Sequence, residues 1–415
     1  MKWIFCLLAL LCLSIAHAQT NNNIKPLSIG DTLPAGLVLT NVLNSPVSEI
    51  RLSDLKGKLV ILDFWATWCS ACLEVFPKIE TLQKEFAGSL QTLLINPFVR
   101  DDTVRVKKAF EKLHPRISMP QNVPVAIQQA VFQKYFPFRF VPHYVWINQE
   151  GRIIATTSKD EVTAANIRKA LKGDISFHLK NDNLDFNPWK PLFTAGTLNP
   201  DSLIGRRSTI TPYIEGAGYW MVLQDYAPGK LRYCIINYPA LTLFTEAFDL
   251  AEVPVNRLVF DSNVQDLFTI TDAETDKYNK AYCYEVMGVN GLPSAKRRMR
   301  IDLEDYFGIT VQQQSRLIPV KHIMAAGNKE YQSPPDGTSF NVVLRRLNDL
   351  SELPFTMDKT LEGIFIRLPA DFYDMSLQEI ERFLFGKGLQ VVERRETLDV
   401  FVFSRGENIV HNYKP

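Results

Sequence analysis

Cysteine is scarce here: six in 415 residues. That is too few for a disulfide scaffold, and a chain of this length builds its core without one. Charge of one sign is not in excess either. Lys and Arg number 46 against 45 Asp and Glu, a formal net charge of +1, with no long block of like charges. This removes the electrostatic basis for a nucleic-acid partner. Beyond the first fifteen residues no apolar run approaches the roughly 18 residues that cross a bilayer. A second C-x-x-C and an H-x3-H pair are also lacking, which argues against a structural zinc site. What remains is ordinary: 46% hydrophobic, 22% charged and 11% aromatic residues. Wholesale disorder and collagen-like or coiled-coil rods are excluded, and the length allows about two to three domains.

The first residues read as an export signal. Lys2 gives a minimal positive start, Trp3 to Ile15 is apolar, and Ala16-His17-Ala18 is a small-x-small cleavage site. The expectation is a signal peptide over 1–18, a mature chain beginning at Gln19, and a location in the periplasm or cell envelope. Cys6 and Cys12 leave with the signal. Cys69, Cys72, Cys234 and Cys283 stay, in a compartment where disulfides persist.

From about 28 to 173 strands alternate with helices. Leu59 to Phe64 is a short apolar run, the mark of a strand buried on both faces. Val75, Ile79, Leu82 and Phe86 recur at helical spacing, which predicts one helix from Cys69 to about Phe86. Leu90 to Ile95 is a further buried strand. Helices are expected over 102–113, 126–136 and 162–171, and a hairpin over 144–156 turns at Asn148 to Gly151. This is an α/β pattern. Residues 174 to 207 lose periodicity and read as a connector, packed through Trp189 and Phe193. From 208 to 405 the pattern is α+β. It includes a strand pair over 309–321, an α-β-β-α-β-β run over 339–404, and a final hairpin turning at Arg395-Glu396-Thr397.

The chemical signal is Trp68-Cys69-Ser70-Ala71-Cys72. It follows a buried strand and opens a helix. A cysteine at a helix start is stabilised as thiolate by the helix dipole and free N–H groups. Two intervening residues bring the second sulfur within disulfide reach, so it resolves a mixed disulfide formed by the first. Asp63 lies inside the apolar strand, where an ionisable group is costly. Its alternative reading is a buried, hydrogen-bonded polar residue. Pro77 would bend the helix. Val141-Pro142 precedes a strand, where a cis-proline loop would face the cysteines. Cys234 and Cys283 fall in predicted strands; they either pair or are two buried small hydrophobes.

The segment LKGKLVILDFWATWCSACLEVFPKIETL, the lead-in GDTLPAGLVL and the Pro142 strand followed by INQEGRI resemble the TlpA-like thioredoxin family. The resemblance covers residues 28–173. It implies a thioredoxin fold, Cys69 as attacking thiolate, Cys72 as resolving thiol, and Asp63 as a proton relay for Cys72. Pro142, with Trp68, Ser70, Ala71 and Val141, would then meet the substrate. The sequence departs from the family's pattern in two places: Ser70-Ala71 between the cysteines, and His143 after the proline. The tail, DLEDYFGITVQQQSRLIPVKHIMAA with LPFTMDKTLEGIFIRLP, resembles a bacterial domain of unknown function, and 339–404 resembles the small modules at secretin N-termini. A spacer or protein-binding role is expected there.

The function expected is an exported thiol–disulfide oxidoreductase without a cofactor. It would act on disulfide-containing envelope proteins and be recharged by an upstream thiol donor. A thiol peroxidase is the alternative enzyme, but Ala66 and Leu62 stand where its Thr or Ser and its Pro belong. A non-catalytic adaptor is the alternative outside enzymes. A copper carrier would want a C-x-x-x-C, one residue longer than this motif.

Overall fold

The computed structural model describes residues 24–113, 119–192, 206–269, 278–326, 334 and 337–406. The expected signal segment 1–18, its cleavage at Gln19, and Phe193 lie outside the described residues. The chain divides into two compact units: 1–186 with 215–218, and 187–214 with 219–415.

Among the described residues, the first unit has eight strands. They are β1 (Val38–Leu39), β2 (Val42–Leu43), β3 (Ile50–Arg51), β4 (Leu59–Phe64), β5 (Leu90–Ile95), β6 (Val125–Ala126), β7 (His143–Ile147) and β8 (Ile153–Thr157). Six of them form one sheet in the order β2-β6-β5-β4-β7-β8. β4 is central, parallel to β5 and antiparallel to β7. All six of its residues are buried, because each face is covered. Leu59 and Ile61 enter a core with Phe76, Ile79, Leu82 and Trp146. Val60, Leu62 and Phe64 enter another with Phe132, Phe136 and Val145. Alternation along the strand therefore serves two apolar layers, as a mixed sheet with helices on both sides requires. This is the expected thioredoxin fold.

The single helix expected after Cys69 is two. α1 (Ser70–Leu73) stops, and α2 (Phe76–Glu85) restarts with Pro77 in its first turn. Proline has no N–H to return to Leu73, so the break falls where its missing donor costs nothing. α3 (Thr103–Leu113), α4 (Ala130–Tyr135) and α5 (Ala164–Leu171) complete the layers. α4 is shorter than expected because Val125 and Ala126 are drawn into the sheet. The first part of the connector, up to Phe186, belongs to this unit. Phe177 packs on Trp146, and Lys180 donates its backbone N–H to the Thr156 carbonyl at 2.8 Å.

The second unit is α+β. β9 (Arg207–Pro212), β10 (Trp220–Ala227), β11 (Lys230–Pro239) and β13 (Ala281–Val289) form an antiparallel sheet ordered β10-β11-β13-β9, with β12 (Leu258–Phe260) apart from it. α6 (Ala240–Ala247) and α8 (Leu292–Phe307) cover one face through Leu243, Phe244, Met299 and Leu303; α7 (Gln265–Phe268) is a single turn. Then the strand pair expected at 309–321 and the hairpin expected after Leu389 are both replaced. β14 (Ile309–Ala325) and β18 (Leu389–Arg405) are each one 17-residue strand, paired antiparallel along their whole length. Arg395-Glu396-Thr397 has no Gly, Pro or Asn to reverse the chain, and β14 supplies a partner for every residue. The ribbon spans roughly 55 Å at about 3.3 Å per residue. One end, at Ile309 and Phe403, sits in the core already described. The other, at Ile323 and Leu389, sits in a second core. That core is built by β15 (Thr338–Ser339), α9 (Phe340–Leu350), β16 (Phe355–Met357), β17 (Phe365–Ile366) and α10 (Leu377–Gly386). Ser376 and Glu379 close a reciprocal capping box at the start of α10. Trp189, expected to pack the connector, is instead 58% exposed.

Candidate functional site

β4 leaves the sheet at Phe64 and runs through Trp65 to Cys69. β7 enters the sheet at His143, directly from Pro142. The two strands are antiparallel and Phe64 pairs with His143, so both loops lie at one end of the sheet. The Val141–Pro142 bond is cis, and Val141 packs on the core cluster that holds Cys69 and Cys72. Thus the structure brings the cysteine motif and the proline loop together.

Cys69 and Cys72 form a disulfide, with S–S 2.02 Å and Cα–Cα 5.3 Å. Cys69 is the N-cap of α1, and its sulfur accepts the Cys72 backbone N–H at 3.2 Å. Cys69 retains 7% exposure and Cys72 none. Ser70 is exposed, Ala71 half-buried, and Val141 and Pro142 half-buried. Trp68 is 68% exposed, its ring 5.6 Å from that of Phe98. The two rings line an open cavity of about 300 Å³ with Val99, Arg100 and Arg105.

Asp63 is completely buried. By alternation it points to the same face as Leu59 and Ile61, the face of the cluster that holds both cysteines. Neither carboxylate oxygen has a partner of ordinary hydrogen-bond geometry. Burial pushes its pKa well above the usual carboxylate value; the Tyr144 hydroxyl facing it opposes this only in part. Tyr144 is its cross-strand partner. An acid in such a place holds its proton readily and gives it up to a stronger base.

Two sets of residues at this end of the sheet escaped the sequence reading. Asp101, 2% exposed, accepts the Thr67 backbone N–H at 2.9 Å and the Thr67 hydroxyl at 2.8 Å. The Asn96 side-chain amide donates to the same carboxylate at 2.8 Å. This fixes the loop just before Trp68. In sequence Asp101 stands beside Asp102, which caps α3 by accepting from Arg105 N–H, and the pair looks like one helix start. The second set is His143, Lys180 and Asp182. His143 Nδ1 lies 3.1 Å from Asp182, and Lys180 Nζ lies 3.1 Å from the same carboxylate oxygen. Burial pushes the His143 pKa down, with Asp182 opposing and Lys180 adding to the shift. Burial alone would raise Asp182, but His143 and Lys180 hold it below its usual value. Asn181-Asp182-Asn183 reads as a turn, so nothing local marks the role.

The possible second disulfide is not formed: Cys234 and Cys283 are free, buried thiols. Cys234 stands opposite Glu285, leaving Cys283 two residues along the partner strand. Diagonal neighbours sit about 7–8 Å apart, beyond the usual Cα span of a disulfide of about 4.4–6.8 Å. The Cys283 thiol donates instead to Asn237 Oδ1 at 3.2 Å. Burial pushes both thiol pKa values up, so neither is nucleophilic at neutral pH.

Residues 28–171 match the Redoxin family model, and the first unit carries a Redoxin-type, TlpA-like thioredoxin domain. The thiol-disulfide oxidoreductase ResA of Bacillus subtilis is 54% identical over 109 residues, 26% of this chain and 56% of that protein. The thioredoxin-like protein YneN of the same species is 42% identical over 59 residues, 14% of this chain and 35% of that protein. The chain therefore spans about a third to about half of the length of these relatives. Among solved structures, the exposed lipoprotein thioredoxin Etrx1 of Streptococcus pneumoniae is 28% identical, with a TM-score of 0.26 over 30% of this chain and 91% of that one.

Proposed function

We propose that the protein is an exported thiol–disulfide oxidoreductase that reduces disulfides of envelope proteins through Cys69 and Cys72. The observation that carries this reading is the Cys69–Cys72 disulfide at a helix start, facing the same core as a buried, unpartnered Asp63. Relatives named thiol-disulfide oxidoreductases support it. So does the export signal read at residues 1–18.

In the reduced protein, the Cys69 thiolate attacks one sulfur of the partner's disulfide. The other partner sulfur leaves as a thiolate and takes up a proton. Cys72 loses its proton, with the ionised form of Asp63 as the group suited to accept it, and attacks the Cys69 sulfur. The partner's second thiolate is released, and the Cys69–Cys72 disulfide forms. Two electrons have moved to the partner. An upstream dithiol returns them by the same exchange in reverse. The second unit has no part in the chemistry, since its described thiols are buried and protonated. Partner recognition is the role assigned to it, because a tethered domain raises the effective concentration of a weakly held partner.

The deciding measurement is the redox equilibrium of the Cys69–Cys72 pair against glutathione, together with insulin reduction by wild type and Cys69→Ser. The reading expects reversible two-electron equilibration and loss of reduction in the variant. A pair that does not exchange, or a variant as active as wild type, sinks it in favour of a docking role.

A further inference from the structure

The connector between the units carries the least promising sequence in the chain, yet its first part is bonded to the loop that leads into Pro142. Lys180 Nζ donates to the Phe140 carbonyl at 2.9 Å. Asp182 accepts the Arg139 backbone N–H at 3.3 Å through one oxygen. Its other oxygen meets His143 Nδ1 and Lys180 Nζ, each at 3.1 Å. The Arg139 guanidinium donates to the carbonyls of Leu184 and Phe186. The strap is itself fixed to the sheet edge, where Lys180 N–H donates to the Thr156 carbonyl and the Thr156 hydroxyl donates back to Lys180 at 3.3 Å. Phe138 stacks on the His143 ring at 5.1 Å. Thus Arg139, Phe140 and His143 are all held by residues 180–186, and Pro142 lies between two of those three anchors.

We propose that Lys180 and Asp182 are positioning residues for the redox site, holding the Arg139–His143 loop in the place from which it admits a peptide disulfide to Cys69. The proposal rests on the oxidoreductase reading above. The balance of charge in the cluster suits a fixed strap: one carboxylate answers one ammonium, and burial keeps the imidazole neutral. Neither side chain touches the sulfurs, so the strap acts on substrate access rather than on the Cys69–Cys72 bond. A loop displaced by about an ångström suffices to weaken productive binding.

The test uses the full chain in three forms: wild type, Asp182→Asn and Lys180→Met. KM and kcat for insulin reduction are read separately, alongside the glutathione equilibrium of the cysteine pair and the melting temperature. Both variants are expected to raise KM roughly fivefold or more, with kcat changed less than about twofold and the glutathione equilibrium unmoved. A lowered melting temperature with unchanged KM would overturn the proposal, leaving a strap that only stabilises the fold. A shifted glutathione equilibrium would overturn it too, because the residues would then act on the sulfurs. If wild type equilibrates with glutathione but leaves insulin untouched, the loop does not admit a peptide disulfide and the proposal fails alone. If wild type does not exchange with glutathione at all, the oxidoreductase reading falls first.

Discussion

Each unit buries a carboxylate in the middle of its sheet, and the two are treated in opposite ways. Glu285 of the second unit, 2% exposed, meets the Arg232 guanidinium at 2.7 Å and accepts the Leu192 backbone N–H. Arg232, wholly buried, also donates to the Pro188 and Lys190 carbonyls. That pair is complete. It fixes residues 188–192 against the sheet. Asp63 of the first unit is as deeply buried and has no such partner. A buried charge is tolerated when paired and hydrogen-bonded; an unpaired acid at the same depth ionises less readily and costs stability. The contrast separates a structural carboxylate from one suited to proton transfer, and it does so without reference to the cysteines.

The comparison breaks most visibly if its structural half is removed. Arg232→Ala leaves Glu285 buried with only the longer Arg207 ionic contact at 3.9 Å, and should cost the second unit about 3–5 kcal/mol. Chemical denaturation followed by tryptophan fluorescence measures this. Arg232→Met with Glu285→Leu should recover most of the loss, and a double variant no better than the single would mean the pair is not the cause.

Removing the functional half should do the reverse. Asp63→Asn is expected to slow resolution of the mixed disulfide by about a hundredfold at neutral pH, read by stopped-flow oxidation of reduced protein, while the first unit stays folded. An unchanged rate would return Asp63 to a structural role.

The sign of the pH effect sharpens the same point. The Asp63 pKa is raised in the folded state, so the folded protein binds the proton more tightly than the unfolded chain. Stability is then highest below the ordinary carboxylate pKa near 4 and declines as pH rises from there through the folded value. Asp63→Asn removes that decline, so its stability relative to wild type should grow with pH. A flat difference between pH 4 and 8 would contradict the raised value.

The smallest effect is a pattern of labelling. After reduction, iodoacetamide should modify Cys69 first and leave Cys234 and Cys283 untouched until the protein is denatured. Rapid modification of either would show that the second unit opens its sheet.

Much of the redox site was legible from local sequence. The apolar run Leu59 to Phe64, the helix start at Cys69 and the turn at Asn148 to Gly151 are encoded within about ten residues each. The break of the long helix was half legible: Pro77 announced a bend, but whether a proline kinks a helix or ends one depends on what packs around it. The hairpin expected at Arg395 failed because strand-forming residues on both sides of it, Val391 and Val392 before and Val400 and Val402 after, look the same in two short strands as in one long one. Only the presence of β14, some eighty residues away in the chain, tells them apart. For Cys234 and Cys283 the sequence left pairing and separate burial open, and a two-residue offset in register decided against pairing.

The sequence alone determined what depends on spacing along the chain. The reach of Cys72 to Cys69, the apolar identity of the strand before them, and an acid set inside that strand follow from covalent geometry and side-chain period. Tertiary structure decided everything that depends on which distant segment arrives as a neighbour. It paired Glu285 with Arg232 and left Asp63 facing only the Tyr144 hydroxyl. It also turned a polar connector into the strap that holds the Pro142 loop. Desolvation and hydrogen-bond partners are set by packing rather than by residue type, so one buried carboxylate is paired as a brace and another is left with its pKa raised.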